Sequence, residues 1–156
     1  MAQSEERMSD DVQPVSILLV EDNPDHAELT QRALLDGKVV NRVVWMKDGA
    51  EALDYVFRRG RYAEPGAAER PGLILLDIKL PKVDGYKVLQ QIKDDPDLGS
   101  IPVIMLTTSA REEEIASCYA AGANSFVTKP VQFGEFMEKL RTLKLYWVLT
   151  SQLPRG

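Results

Sequence analysis

The sequence predicts an α/β protein built on a doubly wound parallel sheet. Strand-like and helix-like segments alternate five times along the chain, the pattern of βαβ units. Ile17-Leu18-Leu19-Val20 and Leu73-Ile74-Leu75-Leu76 are apolar without interruption, as strands covered on both faces must be. These runs then stop at polar residues, which open α/β sheets place at the carboxyl edge where ligands bind.

The first strand is expected over Ser16–Val20, ending at Glu21-Asp22. Asn23-Pro24 then supplies an N-cap and a proline at the first helical position. That helix runs to about Asp36 and stops at Gly37. A second strand is expected over Val39–Met46. The second helix follows Asp48-Gly49, with Ala52, Leu53, Val56 and Phe57 at helical spacing. Gly60–Gly72 is a polar loop, long for a helix-to-strand connection. The third strand, Leu73–Leu76, ends at Asp77, and the third helix spans about Asp84–Asp94. The fourth strand, Val103–Leu106, ends at Thr107, and the fourth helix runs from near Arg111 to Gly122. The fifth strand, about Ser125–Thr128, ends at Lys129-Pro130. The last helix is expected from about Gln132 to Thr150.

A chain of 156 residues fits one domain with a sizeable core. Its 44% hydrophobic and 28% charged content is that of a soluble globular protein. The net charge of −5 and the lack of any basic block longer than Arg58-Arg59-Gly60-Arg61 argue against nucleic-acid binding. The apolar runs are too short to span a bilayer, so no membrane association is expected. Residues 1–14 are polar, without the apolar stretch of a signal peptide, and read as a flexible tail. The single cysteine, Cys118, reads as a packed thiol in a cytoplasmic protein.

The strand ends bring Glu21, Asp22, Asp77, Thr107 and Lys129 to one edge. Three carboxylates together require a cation, and oxygen ligands without Cys or His suit Mg²⁺ or Mn²⁺. A carboxylate serves as a nucleophile that forms an acyl phosphate. A lysine offsets phosphoryl charge, and a threonine hydroxyl donates to a phosphoryl oxygen.

From about Val15 to Leu149 the sequence resembles bacterial response-regulator receivers. The resemblance rests on Ile17-Leu18-Leu19-Val20-Glu21-Asp22, on Leu75-Leu76-Asp77 with Leu80-Pro81 and Asp84-Gly85, and on Leu106-Thr107 and Lys129-Pro130. It implies a flavodoxin-like (βα)5 sheet with strand order 2-1-3-4-5. The domain would be residues 15–150, with a tail at 151–156. A sensor histidine kinase would phosphorylate Asp77. Asp22 and Asp77 would bind the metal directly, Glu21 through a water, with the Lys79 backbone carbonyl completing the set. Thr107 and Lys129 would hold the phosphoryl group. Thr107 and Phe126 would act as the switch for the face formed by the fourth helix, fifth strand and fifth helix. A cis Lys129-Pro130 bond is also implied. Two positions depart from many relatives: Lys79 stands in place of Asn, and Phe126 in place of the Tyr of some.

The expected last helix carries Phe133, Phe136, Met137, Leu140, Leu143 and Trp147 on one face and Leu145, Tyr146 and Leu149 on the other. The second stripe is expected to form a homodimer contact, or to be covered by a tail folding back through Leu153-Pro154. Tyr146-Trp147-Val148-Leu149-Thr150 with Leu153-Pro154, the long loop and Thr107-Thr108-Ser109 resemble the regulators of bacterial and cyanobacterial phytochromes. That implies a red-light-sensing kinase as partner. With no DNA-binding segment in view, output is expected through protein contact or phosphorelay. His26 is expected to be a partly exposed helix residue, near the kinase-docking surface.

Two other readings compete. A haloacid-dehalogenase-type phosphatase also uses an Asp nucleophile with Mg²⁺ and Lys, but typically needs a second Asp two residues on, where Lys79 stands. A scaffold that had lost phosphorylation would not need all five site residues.

Overall fold

The structure is a computed structural model and describes residues 15–109 and 111–150. The expected tails, residues 1–14 and 151–156 with Leu153-Pro154, lie outside the described residues. The elements in chain order are β1 (Ile17–Val20), α1 (Pro24–Asp36), β2 (Val43–Met46), α2 (Gly49–Val56), β3 (Leu73–Asp77), α3 (Gly85–Asp94), β4 (Val103–Thr107), α4 (Glu112–Ala120), β5 (Ser125–Thr128), α5 (Phe133–Thr142) and α6 (Trp147–Thr150). The five strands form one parallel sheet in the order β2-β1-β3-β4-β5.

Alternation along each strand divides the core in two. Leu18, Val20, Ile74, Leu76, Val103 and Met105 face one side, against Ala52, Leu53, Val56, Val88, Leu89, Ile92 and Cys118. Ile17, Leu19, Leu73, Leu75, Ile104, Leu106 and Val127 face the other, against Ala27, Leu34, Phe136, Met137 and Leu140. Both faces being covered accounts for the unbroken apolar runs. Withdrawing a side chain such as Leu140 or Phe136 from water contributes about 1.5–3 kcal/mol.

Local signals fix the helix starts. The Asn23 side chain accepts from the backbone N–H groups of Asp25 and His26, and Asp48 accepts from that of Glu51 at 2.7 Å. The helix ends share a less familiar device. At the end of α1, Lys38 N–H donates to Leu35 and Val39 N–H to Leu34. At the end of α2, Arg58 donates to Tyr55 and Arg59 to Asp54. After α5, Lys144 donates to Arg141 and Leu145 to Leu140. This is the paired-bond C-cap usually closed by glycine in the left-handed region. Here Lys38, Arg58 and Lys144 occupy it, at φ of 62°, 55° and 60°.

Two expectations are corrected. The second strand begins at Val43, not Val39: after the Lys38 cap the chain runs as a connector. Asn41 anchors that connector, donating to the carbonyls of Val15 and Val148. The last helix ends at Thr142 rather than continuing to Thr150. The Lys144 cap turns the chain, so the proposed two-faced helix does not exist. Val148 and Leu149 are buried in the core instead, while Tyr146 and Trp147 are about half exposed. Leu149 is therefore not part of an outer stripe, and Trp147 does not face the sheet. The Gly60–Gly72 loop also holds a 3-10 turn at Gly60–Tyr62, whose Tyr62 packs edge-on against Tyr55.

Lys93 closes the base of the sheet. Its Nζ donates to the carbonyls of Gly99 and Ile101 and to Asn124 Oδ1, and burial lowers its pKa.

Candidate functional site

Strand register builds the site. Val20 pairs with Met46 and Leu76, Asp77 with Leu106, and Thr107 with Thr128. The residues at or just past these ends therefore meet: Glu21 after β1, Asp77 at the end of β3, Thr107 at the end of β4 and Lys129 after β5. They line a cleft of about 250 Å³ together with Asp22, Asn23, His26, Ile78, Lys79, Thr108 and Ser109.

Lys129 is the hub. Its Nζ donates to Glu21 Oε1 at 2.7 Å and to Asp77 Oδ2 at 3.1 Å. All three side chains are withdrawn from solvent, Lys129 at 6% exposure, Glu21 at 0% and Asp77 at 8%. Burial pushes the Glu21 carboxyl up to about 7; Lys129 opposes that shift, while the neighbouring Asp77 adds to it. The two buried acids share one ammonium, and exposed Asp22 adds a further carboxylate at the mouth.

Ligand oxygens of Glu21, Asp22 and Asp77 all lie within 4.8 Å of one another. An all-oxygen, anionic donor set at this spacing fits a hard divalent cation. The loop after β3 is held tightly beneath it. A Cβ on Gly85 would lie 2.0 Å from the Asp77 carbonyl oxygen, so only glycine lets α3 start this close.

Thr107 lies in the cleft, but its hydroxyl is engaged: it donates to the Ser109 carbonyl at 2.6 Å and accepts from the Ser109 N–H at 3.0 Å. Phe126 is half-buried on β5, edge-on to Tyr119 of α4 with ring centroids 6.3 Å apart. Lys139 of α5 places its Nζ 4.6 Å from the Phe126 ring centroid. The Lys129-Pro130 bond is cis. Cys118 is buried, and burial raises its thiol pKa.

Some contacts were missed from sequence. The Lys79 side chain is exposed, but its N–H donates to Asp77 Oδ1 at 3.2 Å. The Trp45 indole donates to the Glu21 carbonyl at 2.8 Å. His26 places Nδ1 3.0 Å from Lys129 Nζ. Only His26 left a sequence signal: a residue in the first turn after Glu21-Asp22 must lie near the carboxyl edge.

A sheet of this order with an acidic cluster and a lysine at its carboxyl edge defines a class, the phosphorelay receivers. The family model for the response regulator receiver domain matches residues 17–141, and the chain belongs to that family. Within it, the bacteriophytochrome response regulator AtBRR is 45% identical at TM-score 0.79, over 86% of this chain and 96% of that one. The phosphorylated cyanobacterial phytochrome response regulator RcpA is 40% identical at TM-score 0.73, over 92% and 100%. Response regulator Rcp1 of Synechocystis is 36% identical over 148 residues, 94% of this chain and 99% of its own. The Mn²⁺-bound crystal form of Rcp1 superposes at TM-score 0.71. Family membership sets aside the dehalogenase-type phosphatase. Among the described residues no helix is long and apolar enough to cross a membrane.

Proposed function

We propose that the protein is a cytoplasmic response regulator that takes a phosphoryl group from a sensor histidine kinase onto Asp77. The observation that carries this reading is the Asp77 carboxylate itself. It stands at the end of β3, with Glu21 and Asp22 oxygens within 4.8 Å and Lys129 Nζ 3.1 Å away.

An Asp77 oxygen bonds to the phosphorus of the kinase phosphohistidine as the P–N bond breaks, and the freed imidazole nitrogen takes up a proton from solvent. The product is an acyl phosphate; water attacking the same phosphorus later restores Asp77 and releases inorganic phosphate. Glu21, Asp22, Asp77 and the Lys79 carbonyl would hold Mg²⁺ or Mn²⁺, which when bound draws off charge from the phosphoryl oxygens. Lys129 moves from Asp77 Oδ2 to a phosphoryl oxygen. Thr107 leaves Ser109 and donates to another. That movement frees space beside Phe126, whose contacts with Tyr119 and Lys139 link it to α4 and α5. The face of α4, β5 and α5 is thus the output surface. Residues 15–150 form the receiver domain in this reading.

The kinase is proposed to be a phytochrome. The similarity to AtBRR and RcpA, both named as phytochrome regulators, supports this. A homodimer through the carboxyl-terminal segment, centred on Tyr146 and Trp147 rather than Leu149, completes the proposal. Exposure of the two aromatic rings supports it. The test is transfer from a phosphorylated phytochrome kinase: label should leave the kinase and appear on wild type but not on Asp77→Asn. Label retained on the kinase with wild-type protein present would overturn the pairing.

A further inference from the structure

Lysine is a point charge on a flexible stem, and holding it still has an entropic cost. An ammonium that must meet a phosphoryl group is most effective when already held in place. Lys129 Nζ has three acceptors, two of them the carboxylates of Glu21 and Asp77. Both carboxylates belong to the group of oxygens whose charge is redistributed when a phosphoryl group arrives. The third acceptor is His26 Nδ1, at 3.0 Å. An ammonium has protons but no lone pair, so Nδ1 accepts and the ring proton sits on Nε2.

We propose that His26 is a positioning residue: its Nδ1 anchors Lys129 for phosphoryl capture, independently of the acidic cluster. The inference rests on the phosphoacceptor reading above. Three observations support it. His26 Nδ1 is an acceptor outside the carboxylate set, so forming an acyl phosphate on Asp77 does not itself remove it. The His26 backbone is held by the cap that also holds Glu21: its amide N–H donates to Asn23 Oδ1 at 3.3 Å, and the Asn23 amide N–H donates to Glu21 Oε2 at 3.1 Å. The ring is also half-buried between the cleft and a neighbouring groove lined by Leu29, Thr30, Thr108 and Pro130, and Lys129 lines both beside it.

The probe is fluoroberyllate with Mg²⁺, which mimics the bound phosphoryl group without turnover, measured by calorimetry alongside Mg²⁺ alone. His26→Leu removes the acceptor; His26→Asn offers an oxygen at the distance of Nδ1 from the backbone. Fluoroberyllate affinity is expected to fall about tenfold or more in His26→Leu, as for a hydrogen bond to a charged group. His26→Asn should restore it to within about threefold, and affinity for Mg²⁺ alone should stay level. In a Lys129→Met background, His26→Leu should have no further effect.

Equal fluoroberyllate affinity in wild type and His26→Leu would overturn the proposal, as would the same loss in the Lys129→Met background. So would a defect confined to transfer from the kinase, which would make His26 a docking residue. Wild type that failed to bind fluoroberyllate at all would instead refute the phosphoacceptor reading beneath it.

Discussion

Lys129 Nζ lies 3.1 Å from Asp77 Oδ2, across 52 positions of sequence, with both side chains nearly closed to solvent. Removing one partner of a buried pair is costly, about 3–5 kcal/mol, because it strands the other charge. Lys129→Met should therefore lower the melting temperature in metal-free buffer. The same change removes the cation competing for Glu21 and Asp77, so divalent affinity should rise. Mg²⁺ should then raise the melting temperature of Lys129→Met by more than that of wild type. Acyl phosphate formation should nonetheless fall about 10²–10³-fold, as for loss of one electrostatic stabiliser. Equal metal affinity in the two proteins would contradict the hub assigned to Lys129.

The Lys79 side chain stands exposed at the mouth of the cleft, two residues beyond Asp77. We propose that an ammonium there obstructs attacking water. Lys79→Asn should change the half-life of the acyl phosphate by about threefold or more, on the order of a one-hydrogen-bond change in barrier. Phosphorylation would be followed by loss of label after donor removal. Identical half-lives would show that Lys79 is merely solvated.

Thr107 is tied to Ser109 by two hydrogen bonds, which the proposed turn toward a phosphoryl oxygen would have to break. Fluoroberyllate with Mg²⁺ should alter amide hydrogen exchange across α4 and around Phe126 in wild type. Thr107→Ala should bind fluoroberyllate more weakly and lose most of that response. A full response in Thr107→Ala would remove the threonine from the switch.

Lys144 holds a left-handed conformation at φ 60°, which disfavours any side chain with a Cβ. Lys144→Gly should stabilise the protein by about 1 kcal/mol, read in denaturant melts. Tyr146→Ala and Trp147→Ala should weaken the proposed dimer without loss of fold, as followed by sedimentation. Leu149→Asp should unfold the protein instead, since Leu149 is in the core.

That segment also shows where sequence reading fails. The meeting of Glu21, Asp77, Thr107 and Lys129 was legible because alternating strands and helices imply parallel pairing, and polar residues closing apolar runs mark one edge; the strand order came from the resemblance to receivers. The end of α5 was not legible. Leu143, Leu145 and Trp147 continue the apolar spacing, and a lysine rather than a glycine occupies the cap, so no breaker marks the turn. At α4, where Gly122 fills the same position at φ 108°, the end was placed correctly. The early start given to the second strand has another cause: Val39 and Val40 read as strand but lie in the connector that follows the Lys38 cap. The Lys129–His26 contact depends on side-chain direction across 103 positions, which no local pattern encodes.

The proposed chemistry stands or falls on phosphoryl transfer to Asp77. Intact mass after incubation with Mg²⁺ and acetyl phosphate tests it most directly. Wild type should gain one phosphoryl mass and Asp77→Asn none. No adduct on folded wild type, or the same adduct on Asp77→Asn, would contradict it.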